Sequence, residues 1–199
     1  EAEAMLVALS EVVTKGALVV LSGGLPPGVD PAYQDRLIAL VRAAGALVLA
    51  DTSGAALAHL AAGSGLHVLR MNRTEAEALA GHPMPSSAES GGFAKALVQR
   101  GAAEAVIIAR GSEGAILALE DRCLHVTAAT VPVRSKVGAG DSFVGALVLA
   151  RARGADWETA LAAASAAASA AVMTEATELC HRADAERLID QVTVTRLSA

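Results

Sequence analysis

The sequence predicts an α/β fold, with a mainly parallel sheet in the middle and helices on both of its faces. Three observations point there. Short continuous apolar runs, Ala17-Leu-Val-Val-Leu21 and Ala46-Leu-Val-Leu-Ala50 among them, have the length of strands buried on both faces. Longer segments with helical apolar spacing lie between these runs. The two kinds of segment alternate, the pattern of parallel strands joined by crossover helices.

Taken in order, Met5 to Thr14 carries an apolar stripe and reads as a helix. The strand 17–21 follows, bounded by Gly16 and Gly23, and runs into the loop Ser22-Gly-Gly-Leu-Pro-Pro-Gly28. Residues 31–44 read as a helix, with Asp30 placed to cap it and Gly45 to end it. Strand 46–50 ends in Asp51-Thr-Ser-Gly54. A helix over 55–62 and a strand over 66–69 come next, and Arg70-Met-Asn-Arg-Thr-Glu75 opens another helix. Residues 82–92, with two prolines and several serines, predict a flexible stretch. Helix 93–99, strand 105–109 and the turn Arg110-Gly-Ser-Glu-Gly114 follow. A hairpin is expected over 115–119 and 123–126, and an extended run continues to Val133. Residues 142–153 look helical, and the chain is expected to stay helical to its end, with breaks at Gly154 and Arg182. The polar clusters fall at or just past strand ends, where ligands collect in sheets of this kind.

Between the extended run and helix 142–153 lies Lys136-Val-Gly-Ala-Gly-Asp-Ser-Phe-Val-Gly145. Gly138 and Gly140 can take backbone angles that other residues avoid and leave room for a ligand. A glycine turn opening a helix aims several free N–H groups at one spot, on the positive end of the helix dipole. That is an anion site. A carboxylate at Asp141, beside bound anion, makes sense as the group that takes a proton from whatever attacks a phosphate. The plainer alternative is a tight turn with Asp141 capping a helix. There is no Gly-Lys-Ser/Thr of a P-loop, and Gly138-x-Gly140 lacks the third glycine of a dinucleotide fingerprint.

With 199 residues, the chain suits one domain with a substantial core. It is 53% hydrophobic and only 2% aromatic, so Ala, Val and Leu must build that core. A net charge of −5 argues against a nucleic-acid or anionic-membrane surface. The alanine-rich run 160–173 is short for a membrane span and is broken by Ser165 and Ser169. The chain opens Glu-Ala-Glu-Ala, without an initiating Met or a signal peptide. Cys123 and Cys180 lie far apart without metal-ligand spacing, as expected of buried thiols in a cytoplasmic protein.

Together these motifs resemble the ribokinase-like (PfkB) carbohydrate kinase family, from about Gly16 to the C-terminus. Val137-Gly-Ala-Gly-Asp-Ser142 is similar to the family's C-terminal signature, which implies Asp141 as catalytic base and the amides of Gly138, Ala139 and Gly140 as anion hole. Asn72-Arg-Thr-Glu75 resembles the motif that positions Mg²⁺ and the ATP phosphates, largely through water. Gly111-Ser-Glu-Gly114 resembles the turn beside the nucleotide, and the segment around Thr174 corresponds to adenine and cation contacts. Arg70 stands where a lysine usually meets an ATP phosphate; a solvated arginine is its plain alternative. Asp51 is expected to hydrogen-bond the Thr52–Gly54 turn.

The resemblance implies a three-layer α/β/α ribokinase-like fold. It makes residues 1–199 the C-terminal, nucleotide-binding portion of a single kinase domain, without the N-terminal strands and lid. The implied activity is ATP-dependent phosphorylation of a sugar or sugar-phosphate hydroxyl, closest to the minor-type 6-phosphofructokinases, with tagatose-6-phosphate and 1-phosphofructokinases nearby. The implied partners are ATP, Mg²⁺, a sugar phosphate and, when full-length, a second copy of the protein. The shorter chain alone is expected to be inactive. A nucleotide-binding regulatory protein without turnover is the rival from another class, and a ribose or nucleoside kinase is a third reading. Departures from the family are Gly24, Ala109, Thr174, Ala176, Glu178 and Lys136. The last suggests a lysine folded onto backbone carbonyls in place of the K⁺ that many members bind, with a solvent-facing lysine as the alternative.

Overall fold

In the computed structural model, which describes residues 1–197, the apolar runs become strands whose pairing sets the register of everything near the site. Two compact units form, residues 1–108 with 118–121, and 109–117 with residue 122 onward.

In the first unit β1 (Leu18–Ser22), β2 (Leu47–Asp51) and β3 (Leu66–Asn72) pair in parallel, and β4 (Ala103–Ala109) lies beside β3. Ser22 stands opposite Asp51, and Asp51 opposite Arg70. Paired residues share a face, so these three end one face of the sheet together. Leu49, Leu69, Met71, Ile107 and Ile108 are fully buried, as continuous apolar strands require. Helices α2 (Tyr33–Ala43), α3 (Gly54–Ala61), α4 (Arg73–Ala80) and α5 (Ser87–Gln99) connect the strands. In α2, Leu37, Ile38 and Val41 form the buried stripe. The opening helix α1 (Ala2–Val12) buries only Leu6. It is held to α2 by Arg36, whose two terminal nitrogens donate to the Glu3 carboxylate at 2.6 and 2.7 Å, and by the Tyr33 hydroxyl donating to the Ala2 carbonyl. The Arg36 hydrogen bond draws the Glu3 carboxyl below its ordinary range.

Sequence reading and structure part at two places in this unit. The stretch expected to be flexible is helix from Ser87 onward. Its serines start the helix: Ser86 Oγ accepts from the Glu89 amide while the Glu89 carboxylate accepts from the Ser86 amide, a reciprocal cap. Asp30 accepts from the Ala32 amide in a local turn, so α2 begins at Tyr33 and has no side-chain cap.

The second unit holds β5 (Ala115–Ala118), β6 (Cys123–Val126) and β7 (Val194–Arg196) in that order, with β6 and β7 antiparallel. The chain is therefore not helical to its end. Val192-Thr-Val-Thr195 is a run of β-branched residues, stiff at χ1 and suited to a strand. Helices α6 (Ala139–Ala152), α7 (Trp157–Ala171) and α8 (Arg182–Leu188) complete the unit. Nine of the fifteen α7 residues are buried, and all but Leu161 among them are alanine or serine. Its two serines do structural work: Ser165 donates to the Thr127 carbonyl at 2.7 Å, and Ser169 accepts from the Ala129 amide at 3.1 Å. They pin the extended segment after β6. Asp156 caps α7 through the Thr159 amide, and hydrogen bonds from Thr159 hold its carboxyl below the ordinary range. The Arg151 guanidinium lies 4.2 Å over the Trp157 ring. Among the described residues, no helix is long and apolar enough to cross a membrane.

Candidate functional site

In the first unit the candidate residues gather where β3 becomes α4. Asn72 caps α4: its Oδ1 accepts from the Glu75 amide at 2.9 Å, and Glu75 Oε2 accepts from the Asn72 amide at 2.7 Å. The motif thus first serves to start a helix. Half of each polar group is spent this way. Asn72 Nδ2 and Glu75 Oε1 carry no hydrogen bond among the described residues. Glu75 can still reach a metal through water, the manner the resemblance implies. No group of three or more His, Cys, Asp or Glu side chains is placed to hold a metal ion among the described residues.

Asp51 and Arg70 differ from expectation. The Asp51 carboxylate does not bond the turn after it; both its oxygens accept from Arg70 Nη1, at 2.9 and 3.1 Å. The turn is held instead by Thr52, whose hydroxyl donates to the Gly23 carbonyl, and by the Gly23 amide donating to the Asp51 carbonyl. Nor is Arg70 a solvated arginine, since the two side chains are only 13% and 12% exposed. Opposite charges near the ends of two successive apolar runs hinted at the pair, but what sets them side by side is the register of β2 against β3.

In the second unit Gly138 sits at φ +79°, and α6 begins at the next residue. The first bond of the helix runs from the Ser142 amide to the Gly138 carbonyl. The amides of Ala139, Gly140 and Asp141 are thus the unpaired donors of the first turn. Asp141 is exposed in that turn. Gly140 lies within the helix, so the left-handed backbone belongs to Gly138 alone of the two. The free amides of the helix start are therefore those of residues 139–141, one position on from the Gly138, Ala139 and Gly140 expected.

Around it, the Arg134 and Ser135 amides donate to the Val172 carbonyl, and the Ser135 hydroxyl donates to the Ala176 carbonyl at 3.1 Å. Ala176 holds φ +48°, the one non-glycine with positive φ among the described residues. The Thr174 hydroxyl is buried and shared between the Ala171 and Glu178 carbonyls at 2.8 and 2.9 Å, so it fixes this loop. Lys136 is exposed and makes no hydrogen bond or ion pair among the described residues. It is the solvent-facing lysine and does not fold onto the backbone carbonyls in place of a cation. Gly111 opens a short 3₁₀ turn, and Gly114 closes it at φ +91°. A Cβ on Gly114 would stand 1.8 Å from the Val126 carbonyl oxygen. Arg110, buried beside the turn, donates to Glu113 at 2.6 Å.

The family model described as pfkB family carbohydrate kinase matches residues 1–184. The chain belongs to this family. It is 32% identical over 176 residues to the ATP-dependent 6-phosphofructokinase isozyme 2 of Escherichia coli, covering 88% of this chain and 57% of that protein. It is 39% identical over 145 residues to the 1-phosphofructokinase of Xanthomonas campestris, covering 71% and 45%. Among solved structures, phosphofructokinase-2 of E. coli in complex with potassium superposes with a TM-score of 0.89 at 32% identity, over 96% of this chain and 61% of that one. The tetrameric inhibited form of the same enzyme gives 0.86 at 31%, over 95% and 60%. The fold of this pfkB member is thus the three-layer α/β/α, ribokinase-like one with mostly parallel strands. The chain spans about three-fifths of the length of the first relatives that it matches.

Proposed function

We propose that the protein carrying this chain transfers the γ-phosphoryl of ATP to a hydroxyl of a sugar phosphate, as a 6-phosphofructokinase-like kinase. Residues 1–199 form the C-terminal, nucleotide-binding portion of one kinase domain in this reading. The observation that carries it is the left-handed turn at Gly138, three free amides after it, and Asp141 exposed among them. Phosphoryl transfer needs positioning and charge stabilisation more than covalent chemistry. The amides of the Gly138–Gly140 loop hold the transferring phosphoryl group, and Asp141 accepts the proton of the sugar hydroxyl. Arg70 and Asn72 meet ATP phosphates, with Glu75 serving Mg²⁺ through water. Gly111, Gly114 and Thr174 shape the loops beside the nucleotide. The potassium complex of the E. coli enzyme supports K⁺ as a further ion here. That enzyme's tetramer makes a homo-oligomer, rather than specifically the homodimer, the assembly proposed. A cytoplasmic location goes with this reading.

Asp141→Asn in the full-length protein is expected to lower turnover about 10²–10⁴-fold while sparing ATP affinity. Unchanged turnover removes Asp141 as base. A coupled assay against fructose 6-phosphate, fructose 1-phosphate, tagatose 6-phosphate and ribose settles the acceptor. No turnover with any of them, with ATP still bound, favours a regulatory nucleotide-binding protein.

A further inference from the structure

We propose that Asp51 is a positioning residue: it grips Arg70 by one terminal nitrogen and so presents the opposite edge of the guanidinium to a phosphate. The proposal rests on the reading of Arg70 as a phosphate ligand and adds how that ligand is aimed.

Asp51 and Arg70 face each other across the β2–β3 register, on one face of the sheet. Both Asp51 oxygens take their hydrogen bonds from the same atom, Arg70 Nη1. A carboxylate that seized the whole guanidinium fork would use Nε and Nη2 together, whose N–H groups lie parallel on the other edge. Here that edge is left over. Arg70 Nε is buried without a hydrogen-bond partner. Nη2 makes no hydrogen bond among the described residues either. A buried charged donor left unbonded is costly to the folded protein. Two oxygens of one phosphoryl group match the Nε–Nη2 spacing and satisfy both donors at once. Asn72, two residues further along β3 and therefore on the same face, brings its unbonded Nδ2 to the same strand end.

Asp51 does two opposing things to an incoming anion. Its charge repels the anion, and its grip fixes the plane of the fork. If the grip dominates, neutralising Asp51 weakens anion binding. If the repulsion dominates, the same change tightens it. A lysine at position 70 keeps the ion pair but offers a point charge without a fork.

The test uses the full-length protein and inorganic tripolyphosphate as the probe. In ¹H–¹⁵N spectra, the Arg70 Nε–Hε resonance, assigned by its absence in Arg70→Lys, is expected to move on titration. In calorimetry at fixed salt, Asp51→Asn and Arg70→Lys are each expected to bind the probe about ten- to a hundredfold more weakly. The double variant is expected to bind no more weakly than Arg70→Lys alone, because Asp51 acts through Arg70. An unmoved Hε resonance overturns the proposal without needing any variant to fold. Equal or tighter binding by Asp51→Asn overturns it too. Neither readout requires turnover, so a protein that phosphorylates no sugar yet shifts the Arg70 resonance contradicts the kinase reading and leaves this one standing.

Discussion

Gly114 and Gly138 both carry left-handed backbone, for different reasons. At Gly114 the Val126 carbonyl oxygen stands where a Cβ would go, 1.8 Å away. At Gly138 nothing lies within 4 Å of a built Cβ, so only the φ of +79° restricts the residue. Gly114→Ala must push β5 and β6 apart and is expected to cost about 3 kcal/mol or more. Gly138→Ala carries only the left-handed penalty, about 1–2 kcal/mol. Denaturant midpoints separate the two, and equal losses would show that the strands yield. From the sequence both glycines look like loop residues near a ligand, because a pattern of glycines does not say what stands beside each one. The same limit hid the Asp51–Arg70 contact: both residues were visible, but their register across β2 and β3 was not. Asp141 in the first turn after Gly138, by contrast, was legible from local sequence alone.

The turn from β3 into α4 uses two residues for a helix cap and leaves each one free polar atom. The two roles can be pulled apart. Asn72→Ser keeps a capping oxygen and removes the Nδ2 donor, so stability is expected to stay within about 0.5 kcal/mol of the original while ATP affinity falls. Asn72→Ala loses both, and about 1 kcal/mol of stability with them. Chemical denaturation and nucleotide titration on the two variants check this, and unaltered ATP affinity in both would reduce the motif to a cap. At this scale the sequence showed where most strands and helices lie, because apolar runs and caps act over a few residues. It misled at α5, where a serine that looked like loop was a cap, and at β7. A three-residue strand such as Val194–Arg196 depends on β6, some seventy residues earlier, for its hydrogen bonds.

In the first unit, β1 has β2 as its one strand neighbour among the described residues, so a row of its backbone groups is unpaired. Val20 and Leu47, on β1 and β2, are 38% and 41% exposed. Open edges backed by apolar surface associate. The 199-residue chain alone is expected to self-associate with rising concentration in sedimentation or light scattering, and Val20→Lys to reduce this. A monodisperse monomer of the unaltered chain would contradict it. The open edge at β1 was expected from the apolar strands and the resemblance, whereas the division into two units was not, since it depends on contacts between distant stretches of chain. The scarcity of aromatic residues has an optical consequence. The whole sequence holds one tyrosine and one tryptophan. Tyr33 lies in the first unit and Trp157, under Arg151, in the second. Each unit therefore carries its own intrinsic fluorophore: excitation at the red edge, where tyrosine does not absorb, follows Trp157 alone, and the shorter-wavelength tyrosine emission follows Tyr33, with no dye attached.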